Sequence, residues 1–69
     1  MNEIKDATKL RVGDMFAANG FVHEIDSLVY NPLSQRVAVF TNYETAEGRR
    51  HDAFSFSAFE RVQTVDLEV

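Results

Sequence analysis

The dipeptide Asn19-Gly20 sits directly between two short apolar stretches, Met15 to Ala18 and the run that begins at Phe21. A two-residue hairpin turn that matches the twist of its strands needs positive φ at both central positions, and Asn-Gly meets that need at the least steric cost. The dipeptide therefore predicts a tight hairpin, and with it an antiparallel strand pair. From Leu10 onward the apolar residues come in short stretches broken by turn residues, with no sustained 3.6-residue period. The chain reads as all-β.

The first strand is expected over Met15 to Ala18, entered through Leu10, Val12 and a turn at Gly13-Asp14. The second runs from Phe21 to Tyr30 with Phe21, His23 and Ile25 on one face. Past Asp26 the apolar positions become Leu28, Val29 and Tyr30, so the alternation slips, as it does at a β-bulge or a bend. Asn31-Pro32-Leu33-Ser34 closes this strand, because Pro32 has no N–H for a central ladder. Arg36 to Tyr43 forms the third strand and the centre of the sheet, with Val37, Val39, Thr41 and Tyr43 on one face and Ala38 and Phe40 on the other. A polar loop from Glu44 to Gly48 leads to the fourth strand, Arg49 to Phe56. A simple hairpin there sets Tyr43 opposite Arg50, Thr41 opposite Asp52, Val39 opposite Phe54 and Val37 opposite Phe56. That register matches apolar with apolar and polar with polar. Ser57 to Glu60 reads as one helical turn, and Arg61 to Leu67 as a fifth strand with Val62, Val65 and Leu67 as its apolar members.

With 69 residues there is room for one domain, placed at 10–69 behind a polar arm at 1–9 that holds at most a short helical turn. A chain this small buries only about 60% of its unfolded surface, so no deep enclosed active site is expected. Eight phenylalanine and tyrosine rings supply the core, and the absence of cysteine removes disulfides and thiolate metal sites. No apolar run approaches a membrane span, and the first eleven residues carry charges of both signs, unlike a signal peptide. A soluble cytoplasmic protein is expected. The net charge of −4 argues against generic binding to DNA or RNA and leaves a basic partner open.

The segments KLRVGDMF at the start and FSFSAFERVQTV at the end, with strands of this length and order, resemble the SH3-like small barrels. In that superfold an apolar-x-x-Gly-Asp segment leads into the barrel, matched by Leu10, Gly13 and Asp14. A short helical turn joins the last two strands, matched by Ser57 to Glu60. The resemblance implies a five-stranded antiparallel barrel. It carries no peptide-groove residues across, because the signalling SH3 groove features a tryptophan that this chain lacks. In size and lack of enzyme motifs the chain also looks like the small accessory proteins of bacteria and their phages.

No catalytic, cofactor or metal set stands out. His23 with Glu24, and His51 with Asp52, are strand neighbours that point to opposite faces and cannot readily share an ion. Ser27, Ser34, Ser55 and Ser57 lie in no nucleophile motif, and the three glycines are too scattered to cradle a phosphate. Two clusters remain. If the Pro32 turn pairs Val29 with Val37, then His23, Tyr43 and Arg50 form one row across three strands, with Arg49 adding charge. Such a row either grips an anion or a stacked base, or caps the barrel end as a polar rim. The second cluster is Phe40, Phe16 and Tyr30, which either fill the core or form an exposed interaction surface.

These clusters carry two functional expectations. The first is a non-enzymatic accessory or regulatory module of a bacterium or phage, binding a protein partner through an aromatic and acidic surface. Its acidic members are Asp14, Glu24, Asp26, Glu44 and Glu47, beside Phe40 and Tyr30. The alternative is a nucleic-acid-binding barrel using His23, Tyr43, Arg49 and Arg50, which the net charge disfavours. A homodimer through the Phe40 face or through an unpaired edge strand is also allowed.

Overall fold

The computed structural model of the protein describes residues 3–66. They form one antiparallel sheet of six strands: β1 (Glu3–Asp6), β2 (Met15–Ala18), β3 (Phe21–Asn31), β4 (Arg36–Thr45), β5 (Gly48–Ser57) and β6 (Arg61–Val65). Their spatial order is β1-β6-β2-β3-β4-β5, so β4, expected at the centre of the sheet, lies next to the β5 edge, and β2 and β3 take the middle because β6 and β1 add on the far side of β2. The sheet is curled but not closed, and β1 and β5 are its two edges. Of the expected last strand, Leu67 lies outside the described residues.

The expected five strands are present, and a sixth comes from the segment read as a polar arm. Glu3 to Asp6 pairs with Thr64 to Arg61 of β6. Nothing in its apolar pattern announces this, since its one large apolar residue, Ile4, faces solvent. β1 is held by ladder hydrogen bonds, by Lys5 Nζ against Asp14 Oδ2 at 3.0 Å, and by the Thr64 hydroxyl donating to the Glu3 carbonyl at 3.0 Å. A short 3-10 turn, Ala7–Lys9, follows. There the Ala7 N–H donates to Glu60 O and the Thr8 N–H to Ala58 O, which fastens the segment to the β5–β6 connection.

Between β5 and β6 the expected helical turn is instead one reverse turn, closed by Glu60 N–H to Ser57 O at 3.0 Å. The connection is too short for helix. Glu60 completes it by accepting the Ser57 N–H on its own carboxylate.

The Asn19-Gly20 hairpin forms as its chemistry requires, with φ of 54° and 84° at the two positions and Ala18 opposite Phe21. A Cβ built on Gly20 meets nothing within 4 Å, so substitution there costs backbone strain alone. Gly20→Ala is expected to destabilise the protein by about 1 kcal/mol, the penalty of a left-handed L-residue. The measurement is a lower urea midpoint at unchanged slope. An unchanged midpoint would contradict the turn.

The β4–β5 ladder has the expected register throughout, from Arg36–Ser57 to Thr45–Gly48. In the β3–β4 ladder the register shifts between Ile25 and Ser27, leaving Asp26 as the extra residue of a bulge where the alternation slips. One pairing is corrected by it: Val29 lies opposite Ala38, and Tyr30 rather than Val29 lies opposite Val37. The inserted residue absorbs one step, so beyond it Glu24 faces Asn42 and Ile25 faces Thr41. It also exchanges the faces. His23 and Ile25 point inward before the bulge, and Leu28 and Tyr30 after it.

The concave face holds the core. Phe16, Ile25, Val37, Val39 and Val62 are buried there together with Ala7 and Leu10, and Leu28, Phe54 and Phe56 pack against them. Phe16 is central. Its ring meets Phe54 and Phe56 edge-on, with centroids 5.2 Å and 5.9 Å away, and stacks on His23 at 5.7 Å.

Candidate interaction face

Strand alternation divides the residues singled out from the sequence between the two faces of the sheet. On the concave side, His23, Tyr43 and Arg50 do form a row: the rings of His23 and Tyr43 lie 4.4 Å apart, and Tyr43 is opposite Arg50. The row has no free imidazole. His23 is 1% exposed, its Nε2 lies 3.1 Å from the Ala18 carbonyl, and its Nδ1 lies 3.0 Å from the Thr41 hydroxyl. A carbonyl only accepts, so Nε2 carries a hydrogen, while Nδ1 shares a hydrogen bond with the Thr41 hydroxyl, which also reaches the Asp52 carbonyl at 3.5 Å. Phe16 stacks on one side of the imidazole and Phe54 meets it edge-on at 5.1 Å. His23 is therefore a hydrogen-bonded core residue.

The other members of that row are more open. Tyr43 is half-buried between His23 and Phe21. The Arg50 side chain is largely exposed, with Glu47 3.9 Å away. Arg49 is its strand neighbour and projects from the opposite, convex face, so the two guanidiniums do not converge on one ligand. Of the three rings in the second cluster, Phe16 is core, while Tyr30 sits at the rim of the concave face and Phe40 stands on the convex face.

The convex face brings together Glu24, Asp26, Phe40 and Arg49, and adds Glu44. No other element of the described residues packs over it, because all six strands belong to the one sheet. Its cross-strand rows grade from apolar to charged. The first is Val29, Ala38 and Ser55; the next is Ser27, Phe40 and Ala53. Phe40 is 43% exposed and Val29 is open as well. Ser27, Ala53 and Ala38 are too small to screen the Phe40 ring, so it protrudes from its surroundings.

Beside it the charged rows begin. Asn42 is nearly buried by its neighbours: its amide donates to Asp26 Oδ1, and its carbonyl oxygen accepts from Arg49 Nη1. Arg49 Nη2 also meets Glu44 Oε1 at 2.7 Å, and His51 lies 3.8 Å from Asp26. Three carboxylates (Glu24, Asp26 and Glu44) thus face one guanidinium that is already committed to Glu44 and Asn42. Next to them is a hollow of about 310 Å³ bounded by Met15, Val22, Glu24, Asn42, Glu44 and Arg49, with Tyr43 also at its border. Its apolar walls and two carboxylates suit the stem and head of a lysine or arginine. Of the remaining acidic candidates, Asp14 is occupied by Lys5 and by the Arg11 N–H, and Glu47 sits in the β4–β5 turn.

Sequence reasoning passed over Asn42, Met15 and Val22 as parts of this face. The signal was present in the alternation, because each lies an even number of residues from Phe40 or Glu24 on its own strand or is paired to one that does. Reading it required knowing that the convex side stays uncovered.

Among the described residues no group of three or more His, Cys, Asp or Glu side chains is placed to hold a metal ion, and no helix is long and apolar enough to cross a membrane. No protein-family model and no solved structure matches the chain. The sequence is similar to the "Gene 83 protein" of Mycobacterium phage L5, with 34% identity over 65 residues that span 94% of this chain and 90% of that protein.

Proposed function

Since the chain belongs to the family of the Gene 83 protein of Mycobacterium phage L5, we propose that it is a phage accessory protein that acts in the cytoplasm by binding another protein, with no catalytic step of its own. The observation that carries this reading is Phe40: a large ring, 43% exposed, on the uncovered side of β4, the strand next to the β5 edge, with Ser27, Ala38 and Ala53 around it. Interfaces draw most of their energy from a few such aromatic anchors set beside polar groups that fix orientation. Glu24, Asp26 and Glu44 supply that polar rim, so the partner presents an apolar pocket with basic residues next to it. The strand order β6-β2-β3-β4-β5, entered through Leu10, Gly13 and Asp14, supports an SH3-like small barrel as the scaffold. The nucleic-acid reading draws no support from the geometry, because His23 is sealed in the core and Arg49 and Arg50 project from opposite faces.

The test compares immobilised wild-type protein with a Phe40→Glu variant in lysate of phage-infected host cells. Exposed Phe40 contributes little to folding, so the variant's stability is expected to stay within about 0.5 kcal/mol of wild type. Retention of a specific host or phage protein is expected to fall by about thirtyfold, as when an anchor worth about 2 kcal/mol is lost. Equal retention by the two proteins, or retention by neither, would rule the Phe40 face out as the binding surface.

A further inference from the structure

We propose that the free edge of β5 pairs with the β5 of a second copy, making a two-fold symmetric antiparallel dimer centred on His51. The inference goes beyond the partner-binding reading and rests on different residues.

β5 is ten residues long, contains no proline or lysine, and ends the sheet. Thr45 and Gly48 are paired across the two-residue turn, the position that exchanges ladder hydrogen bonds in such a hairpin, and the Ala53 N–H and Ser55 carbonyl, engaged by side chains, agree with that phase. Every second residue of β5 counted from Gly48 therefore turns its N–H and C=O toward β4, and Arg49, His51, Ala53 and Ser55 turn theirs outward. Two of these outward positions are shielded within the chain. The Ala53 N–H donates to Asp52 Oδ1 at 2.8 Å, and the Ser55 carbonyl accepts from Arg36 Nη2 at 3.2 Å. At Arg49 and His51 the outward backbone groups have no partner among the described residues, so the unshielded part of the edge lies around His51.

Charge selects the register. In an antiparallel pair formed by two copies of one edge, a strand residue sits on the two-fold axis, and its neighbours face one another across it. With Arg50 on the axis the two Arg50 side chains oppose each other. With Asp52 on the axis two carboxylates do. With Ala53 on the axis, Arg50 and Asp52 face Phe56 and Phe54. Only with His51 on the axis does Arg50 of each copy face Asp52 of the other, giving two opposite-charge pairs side by side, and like charges directly opposed are the arrangement that cross-strand pairing avoids. This register opposes Arg49 to Ala53, so the Ala53 N–H passes from its own Asp52 to the Arg49 carbonyl of the second copy. Asp52 is thereby released toward Arg50. The axis runs perpendicular to the sheet, so the convex faces of both copies look the same way and two Phe40 rings stand on one continuous surface.

Sedimentation equilibrium tests this. The wild-type protein is expected to sediment at twice 7.9 kDa, and Arg50→Asp or Asp52→Arg alone to weaken the dimer at least about tenfold by opposing like charges. The double variant Arg50→Asp/Asp52→Arg restores the pairs in reversed sense, and its dimer is expected to return to near wild-type strength. That recovery separates a lost interface from a lost fold. A monomer at every concentration, a dimer indifferent to both single changes, or open-ended growth in place of a closed pair would each overturn the proposal. None of these outcomes touches the Phe40 face, so the partner-binding test stands apart from it.

Discussion

Phe16→Ala is expected to abolish the cooperative thermal transition of the protein. The ring is 3% exposed and meets Phe54, Phe56 and His23, so no neighbouring element can close over the space it leaves. Removing a buried phenylalanine costs about 3–5 kcal/mol in transfer and cavity terms together. A chain of 69 residues has roughly 3–10 kcal/mol of stability in all, with no disulfide to limit the unfolded state. Circular dichroism during heating reads the result as a sloping signal without a sigmoid. A sigmoidal transition within a few degrees of wild type would show that the core is not organised around this ring.

His23→Ala is the second large effect, at about 2–4 kcal/mol, and its origin differs. Besides ring packing, it removes the imidazole hydrogen bonds to the Ala18 carbonyl and the Thr41 hydroxyl, which then keeps only the longer 3.5 Å bond to the Asp52 carbonyl, and weakening the bonding of buried polar groups costs about 1–3 kcal/mol. Thr41→Val removes the same hydrogen bond from the other side at smaller cost, since it leaves the imidazole packed. Because the two side chains share one bond, the double variant is expected to be less destabilised than the sum of the singles, by about 1 kcal/mol. Strict additivity in urea denaturation would mean that Thr41 does not hold the ring.

His23 also shows where sequence reading runs out. Alternation places it on the face of Ile25, and the hairpin registers place it beside Tyr43, both as found. Whether such a histidine meets solvent or fills a core depends on what arrives from elsewhere. Phe16 comes from β2, Phe54 from β5, and the Ala18 carbonyl turns in at the end of the Asn19-Gly20 hairpin. These contacts convert a candidate ligand-binding group into a fixed structural one. The two arginines are a simpler case. Their adjacency in sequence reads as a basic patch, but period-two alternation sends Arg49 to the convex face and Arg50 to the concave one.

The bulge at Asp26 was legible as a break in the apolar pattern, but its effect on pairing was not. An extra residue shifts the register on one side of it only, so the half of β3 near Tyr43 follows the simple count while the half near Pro32 is offset by one. The same residue gives the convex face its acid, because Asp26 reaches the Asn42 amide from the bulge. β1 lay further from view. It has no alternating apolar face, and its place in the sheet depends on β6, nearly the whole chain away, offering a vacant ladder beside Lys5 and Asp14.

Turn chemistry and side-chain period are local properties, and they determined from the sequence alone the Asn19-Gly20 hairpin, the β4–β5 register and the placing of Val37, Val39 and Phe54 on one face. Three features were decided by tertiary structure: the recruitment of Glu3–Asp6 as an edge strand, the sealing of His23, and the exposure of Phe40 above small neighbours. Each depends on how the sheet curls and on which residues distant in sequence meet across it. Exposure in particular belongs to the finished surface, since a ring on the back of an inner strand is core or anchor according to whether another layer covers it.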